Sequence, residues 1–177
     1  MDPEQLKEMK KYMKPSFGWV VLGSLLILFG VATITAMGWI VLLYLATGGI
    51  LLWVGISGRT DVEKRVKELE ARGELERVLA DFAGSKSFAK DKIRMGNYYI
   101  YGKNQQNLVR YEDIRQVYQS IRKRNGSETS RTLQYVNAQG KTLTLCNLQL
   151  KDKSHDDMMQ IMMIIKAKNP AVKLGYQ

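Results

Sequence analysis

The sequence predicts a membrane α-helical hairpin followed by an α+β domain, in which an antiparallel β-sheet is closed by a C-terminal amphipathic helix. Three observations support this fold class. Residues 16–58 contain no Asp, Glu, Lys, Arg or His, although the chain of 177 residues carries a formal net charge of +10. Beyond residue 85, apolar residues recur with a period near two, as in half-buried strands. A last apolar stripe returns to the helical period.

The uncharged segment predicts two membrane helices. One crossing of the bilayer needs about 20 apolar residues, so residues 16–58 are too long for one helix and suit two that are joined by a tight turn. We expect the two helices near 17–36 and 39–56, with the break at 35–38, where small and polar residues interrupt the apolar runs.

Each expected helix carries a pair of glycines seven residues apart, Gly23 with Gly30 and Gly48 with Gly55. Small residues allow helix backbones to approach closely in lipid. The spacing places both glycines of a pair on one face, which predicts that the hairpin packs against itself. A seam between copies of the chain, giving a homo-oligomer, is the alternative.

Positive charges flank the uncharged segment on both sides and are missing from the expected turn. Short cytoplasmic segments are enriched in Lys and Arg, so we expect both chain ends in the cytoplasm. A cleaved signal peptide is disfavoured, because its apolar core spans only about 7–15 residues. The flanking cations are Lys7, Lys10, Lys11 and Lys14 before the segment, and Arg59, Lys64, Arg65 and Lys67 after it.

Residues 59–84 predict an amphipathic linker helix, and residues 1–15 a cytosolic N-terminal segment. Thr60 and Glu63 have the spacing of a capping box, which predicts that a new helix begins after the membrane exit. Apolar residues then recur at helical spacing with charges between them. Gly73 interrupts this pattern and leaves open whether the linker is one helix or two.

Residues 85–177 predict the α+β domain. Asn125-Gly126 and the segment 137–140 are typical of hairpin turns. The final helix is expected to begin at Ser154, which suits a cap, and to end before Asn169-Pro170. Alternating β-forming residues indicate strands at 93–101, 108–111, 114–122, 132–136 and 142–146.

Several short motifs of this domain resemble a known group of proteins. The motifs are Tyr-Glu-Asp-Ile at 111–114, Val-Tyr at 117–118, the turn at 137–140, Asn-Pro at 169–170 and Gly-Tyr at 175–176. With the overall layout, they resemble the YcxB-like group of small bacterial two-pass membrane proteins, which carry a pleckstrin-homology-like (PH-like) cytosolic domain. The resemblance implies a PH-like antiparallel sheet or barrel closed by the C-terminal helix, and a place in the bacterial inner membrane. It supplies no site residues.

Two basic patches are the candidate contact sites of the domain. Lys90, Lys92 and Arg94 alternate along the sequence, which predicts three cations on one strand face where a PH-like domain has its first hairpin. Both patches suit anionic headgroups or contacts with a partner, and for the first patch a solvated strand edge is the alternative. Nucleic acid is an unlikely partner because no recognition motif accompanies the charge. The second patch is Arg122, Lys123 and Arg124, with Arg131 across the expected turn.

The sequence contains no catalytic motif, and we therefore expect no enzyme activity and no cofactor. The single cysteine, Cys146, and the single histidine, His155, lie apart from any metal-binding pattern. The favoured function is a membrane-anchored binding or scaffold module that presents a PH-like domain to a protein partner. The alternatives are a sensor of anionic lipid surfaces that uses the basic patches, and an accessory subunit of a larger membrane complex.

Overall fold

The computed structural model describes residues 2–33, 38–103, 108–149 and 155–176. Within these residues the chain forms an α+β fold with five helices and two four-stranded sheets. The helices are α1 (Pro3–Met13), α2 (Gly18–Ala32), α3 (Ile40–Ala71), α4 (Leu75–Ala83) and α5 (His155–Lys168).

The strands form two separate sheets, and the described residues do not make a closed barrel. Sheet A has the antiparallel order β1-β2-β3-β4. Sheet B has the order β7-β6-β5-β8, in which β8 pairs in parallel with β5. The strands are β1 (Lys86–Phe88), β2 (Ile93–Met95), β3 (Tyr99–Gly102), β4 (Leu108–Arg110), β5 (Ile114–Arg124), β6 (Ser127–Asn137), β7 (Thr142–Gln149) and β8 (Lys173–Tyr176).

The apolar helices α2 and α3 run antiparallel and touch through their glycines. A Cβ atom on Gly23 would lie 2.8 Å from the carbonyl oxygen of Gly48, and one on Gly55 would lie 2.6 Å from a methyl carbon of Val20. The prediction that these two helices pack against each other is therefore confirmed. The expected break at 35–38 falls largely on residues 34–37, outside the described residues.

By length and composition, α3 is the one helix among the described residues that is long and apolar enough to cross a membrane. The helix α2 meets the same test only together with α1, across a bend of 53°.

The expected new helix at Thr60 is wrong, because α3 runs unbroken from Ile40 to Ala71. The Thr60 hydroxyl donates to the carbonyl oxygen of Ile56 at 3.0 Å, inside the helix, and caps nothing. The buried stripe of the apolar half continues in phase through the polar half, so no break is required. The stripe residues are Gly48, Gly55, Gly58, Val62, Val66 and Leu69. The helix ends before Gly73, whose φ is +68°, and α4 follows, so the linker region contains two helices.

Sheet A forms the middle layer of the fold, with a hydrophobic cluster on each face. Along β3, Ile100 belongs to the cluster shared with sheet B and α5, whereas Tyr99 and Tyr101 belong to the cluster shared with α1, α3 and α4. All four residues of β3 are buried. The helices that leave the apolar segment are therefore packed directly on the domain and are not joined to it by a loose tether.

The expected single strand at 93–101 is wrong, because the segment folds into the hairpin of β2 and β3. The carboxylate of Asp81 on α4 accepts hydrogen bonds from the backbone N–H groups of Asn97, Tyr98 and Tyr99 at 2.7, 3.1 and 3.2 Å. A Cβ on Gly96 would lie 2.0 Å from Oδ2 of Asp81, so only glycine fits there. The acceptor for this turn comes from another element, which alternation along the strand does not reveal.

Other predictions for the domain are confirmed. Asn125 and Gly126 form the β5–β6 turn with φ of +51° and +77°. Asn137 Oδ1 accepts from the backbone N–H of Lys141 at 2.9 Å and closes the next turn. The helix α5 ends at Lys168, while β1 and β8 were not predicted. The expected cap at Ser154 lies outside the described residues.

Candidate functional site

An open cavity of about 730 Å³ lies where α1 meets the two apolar helices. One wall is α1 with the residues that connect it to α2, and the other wall includes Arg59 of α3. The cationic lining residues are Lys7, Lys10, Lys11, Lys14 and Arg59, and the apolar ones include Leu6 and Phe17. No acidic side chain lines the cavity among the residues that the structure describes.

The helix α1 has an apolar face and a basic face, and this division builds the cavity. Asp2 caps its first turn by accepting from a backbone N–H at 2.9 Å. Met9, Tyr12 and Met13 are buried in the cluster with α3, α4 and sheet A. The lysines at positions 7, 10, 11 and 14 are three or four residues apart, so they share the other side of the helix.

Glu63 of α3 fastens this basic face to the end of the apolar segment. Its carboxylate accepts from Lys10 Nζ at 2.7 Å and from Lys14 Nζ at 2.5 Å. These two hydrogen bonds lower the pKa of Glu63 from its usual 4.5 to about 2. The carboxylate is therefore ionised at neutral pH and holds the last turns of α1 beside the cavity.

Arg59 is the first charged residue after the uncharged segment. Its guanidinium carbon lies 4.9 Å from the centroid of the Phe17 ring, a cation–π contact. Its Nε is buried and has no hydrogen-bond partner among the described residues. A buried donor without an acceptor costs about 1–3 kcal/mol, so an acceptor that reaches this nitrogen is favoured.

The start of α2 adds to the positive potential of the cavity. The first N–H groups of a helix lack partners within the helix and carry partial positive charge. Ser16 and Phe17, which precede α2, line the cavity, and no acidic residue lies in the first turn of α2. The arrangement suits the binding of an anion.

The first predicted basic patch is not a single strand face. Ala89, Lys90 and Asp91 all have positive φ, between 53° and 63°, and form a tight turn between β1 and β2. Lys90 lies in that turn, so it does not continue the face that Arg94 occupies on β2. Lys92 Nζ donates to the carbonyl oxygen of Asn147 at 3.0 Å.

Arg94 is also engaged within the fold. Its guanidinium carbon lies 5.1 Å from the ring centroids of both Tyr12 and Phe82, and its Nε lies 3.4 Å from Asp91 Oδ1. The Arg94 side chain thus packs between α1, α4 and sheet A. The structure does not gather Lys90, Lys92 and Arg94 into one surface.

Two residues of the second predicted patch, Arg122 and Lys123, lie near the tip of the β5–β6 hairpin. Arg122 and Lys123 are exposed, and the side chain of Arg124 lies outside the described ones. Arg131 pairs in register with Ile121 across the hairpin and forms an ion pair with Glu128. A binding role for this patch remains a prediction.

The remaining residues with reactive side chains give no second site. Cys146 is fully buried, and burial raises the pKa of its thiol to about 12. Among the described residues, no three His, Cys, Asp or Glu side chains are placed to hold a metal ion. The side chain of His155 lies outside the described part of the chain.

In the sequence, the cations of α1 and Arg59 indicate only the topology. The signal that sequence reasoning missed is the helical spacing of Met9, Tyr12 and Met13 against the lysines, which marks residues 3–13 as an amphipathic helix with a basic side.

Comparisons of the chain with protein-family models, with curated proteins and with solved structures gave no significant match.

Proposed function

We propose that this chain is a bacterial inner-membrane protein in which α2 and α3 form a two-pass anchor, with both chain ends in the cytoplasm. The α+β domain is then a non-enzymatic binding module held at the membrane surface, where it engages a protein partner. The rigid packing between anchor and domain distinguishes this role from that of a domain on a free tether.

The observation that carries the proposal is the apolar outer surface of α2 and α3. Leu28, Leu42 and Trp53 are 65%, 67% and 74% exposed. Each large apolar side chain left in water forgoes about 1.5–3 kcal/mol of burial free energy, and contiguous exposed apolar surface of this kind marks an interaction site. The core helix of a soluble protein would bury these residues, whereas a bilayer covers them at no cost.

The distribution of charge supports the orientation. The cations of α1 and those from Arg59 onward lie at one end of the antiparallel helix pair. Between α2 and α3 the sequence contains no charged residue. The positive-inside tendency then favours a cytoplasmic location for the cationic end.

The strand order favours a PH-like domain, in keeping with the resemblance to the YcxB-like group. A four-stranded antiparallel sheet is followed by three further antiparallel strands and a C-terminal helix. The parallel strand β8 is an addition to that pattern, and the sheets are not closed into a barrel.

The outer face of α5 supports protein binding. Met158 and Met162 point into the core, but Met159 and Met163, four residues apart, are 39% and 59% exposed. Exposed methionines are adaptable contact residues. Leu174 on β8 is a further exposed apolar residue.

The anchor is tested by alkaline carbonate extraction and by labelling of single cysteines with a membrane-impermeant maleimide. In a Cys146→Ala background, Gln139→Cys is expected to react only from the cytoplasmic side, and Trp39→Cys, at an exposed position, only from the opposite side. Release by carbonate, or labelling of both positions from one side, contradicts the two-pass anchor.

Partner binding is tested with a photo-cross-linking amino acid at Met163, with Gln139 as the matched exposed control. One discrete product formed at position 163 and not at position 139 is expected. Equal or absent cross-linking at the two positions argues against the proposed protein-binding face.

A further inference from the structure

The basic cavity lies at the depth where a bilayer places its headgroups, if α2 and α3 span the membrane as proposed above. Ser16, the first residue of the uncharged segment, lines the cavity, and so does Arg59, the first charged residue after that segment. Ser16, two residues before α2, and Arg59, on α3, mark the same boundary at one end of the antiparallel helix pair. A molecule in the cavity therefore meets lipid chains on one side and cytoplasm on the other.

The lining combines hydrogen-bond donors with apolar surface. The lysines of α1 supply ammonium groups, and the buried Nε of Arg59 is a donor without a partner in the described residues. Leu6 and Phe17 supply the apolar part, and Phe17 is 58% exposed. A fitting ligand has one anionic head and an apolar body.

From this geometry we infer that the cavity binds the phosphodiester headgroup of an anionic phospholipid, with its acyl chains lying along the start of α2. Arg59 and the lysines contact the phosphate oxygens. Glu63 acts as a positioning residue, because it holds Lys10 and Lys14 at the rim through bonds of 2.7 and 2.5 Å. This inference rests on the proposed membrane anchor and assigns a ligand to its cytoplasmic end.

Competing ligands fit the cavity less well. A zwitterionic lipid brings a cationic group to a lining whose described side chains include cations and no acid. A small soluble phosphate leaves the apolar lining in water. A cavity of about 730 Å³ has room for a phospholipid headgroup.

The experiment is native mass spectrometry of the full chain in detergent, with equimolar phosphatidylglycerol and phosphatidylcholine of matched acyl chains. The wild-type chain is expected to retain phosphatidylglycerol in preference. In the variant Lys7→Gln/Lys11→Gln, at exposed positions, the ratio of bound phosphatidylglycerol to bound phosphatidylcholine is expected to fall about fivefold for each cation removed. In Arg59→Gln the ratio is expected to fall by at least as much.

The matched control is Lys141→Gln/Lys173→Gln, which removes the same charge from exposed positions in the β6–β7 turn and on β8 and is expected to keep the preference. Equal loss in the control, or no preference in the wild-type chain, overturns the site. Displacement of the lipid by millimolar glycerol 3-phosphate assigns the cavity to a soluble phosphate and also overturns the inference.

The same preparations separate this inference from the membrane anchor itself. Flotation with neutral vesicles after a carbonate wash depends on α2 and α3 and not on the cavity. A chain that floats without a lipid preference supports the anchor and contradicts the lipid site. A chain that does not float contradicts both proposals, because the lipid site rests on the anchor.

Discussion

Replacing Asp81 by alanine removes a buried acceptor from three successive backbone N–H groups. Asp81 is 7% exposed, and the bond to Tyr99 is fully buried. The Tyr99 N–H would stay unpaired, at a cost of about 1–3 kcal/mol. Asn97 and Tyr98 are exposed residues, so their N–H groups regain water and lose only about 0.5–1.5 kcal/mol each. We therefore expect the free energy of unfolding of the domain to fall by about 2–6 kcal/mol.

The assay is urea unfolding of the full chain in detergent, followed by pulsed labelling of the single thiol of Cys146. Amide hydrogen exchange gives a second and local readout, because residues 97–99 should lose protection in Asp81→Ala. The control is Asp61→Ala, at an exposed position on α3, where we expect a change within about 0.5 kcal/mol.

Gly96 allows a test by double substitution. In Gly96→Ala the new Cβ would lie 2.0 Å from the Asp81 carboxylate, so the variant is expected to be strongly destabilised. In the double variant Asp81→Ala/Gly96→Ala the clash with the carboxylate is absent. The loss in the free energy of unfolding is therefore expected to be smaller, by about 1–3 kcal/mol, than the sum of the two single losses. Additive losses, or unchanged amide protection at 97–99 in Asp81→Ala, would refute the reasoning.

Three further predictions concern the helix pair, the fastening of α1 and the thiol. Gly48→Ala places a Cβ 2.7 Å from Ile27 and is expected to destabilise the helix pair by about 1–3 kcal/mol, which should lower the melting temperature read by tryptophan fluorescence. The control is Gly49→Ala, where a Cβ has nothing within 4 Å, and it should not lower that temperature. The ion pairs of Glu63 stabilise the fold above pH 4.5 and are lost as the pH falls towards 2. Since the Glu63 side chain is 40% exposed, the loss of stability is at most about 1 kcal/mol. It is expected to appear as faster amide exchange in α1 at low pH, and this pH dependence should be absent in Glu63→Gln. Cys146 should resist a thiol reagent at pH 8 in the folded chain and react rapidly in denaturant, and rapid native labelling would contradict its burial.

Local sequence signals sufficed wherever the partner of a residue lies nearby in the chain. Asn125-Gly126 specifies its turn because both residues accept positive φ. The pre-proline position ends α5 because the proline ring restricts the residue before it. The glycine pairs predicted the contact between α2 and α3, since close approach needs small residues on a shared face.

The sequence reasoning failed where the deciding group comes from a distant element. The β2–β3 turn depends on Asp81, which lies on α4 and gives no signal within the strand residues. Thr60 and Glu63 matched a capping pattern, but the continuing apolar stripe and the bond of Thr60 to Ile56 kept the helix intact. The basic cavity was missed because its cations belong to two segments that are far apart in sequence and are joined by Glu63.

Because α3 continues from the apolar segment into the domain, it acts as a lever. Its polar part, residues 59–71, is about 20 Å long at 1.5 Å per residue, and a tilt of about 10° would swing its far end sideways by about 3–4 Å. Helices tilt when bilayer thickness changes. If α2 and α3 anchor the chain as proposed, a thinner or thicker membrane would shift the surface of the domain, and a partner docked there would respond to the state of the lipid through this displacement alone.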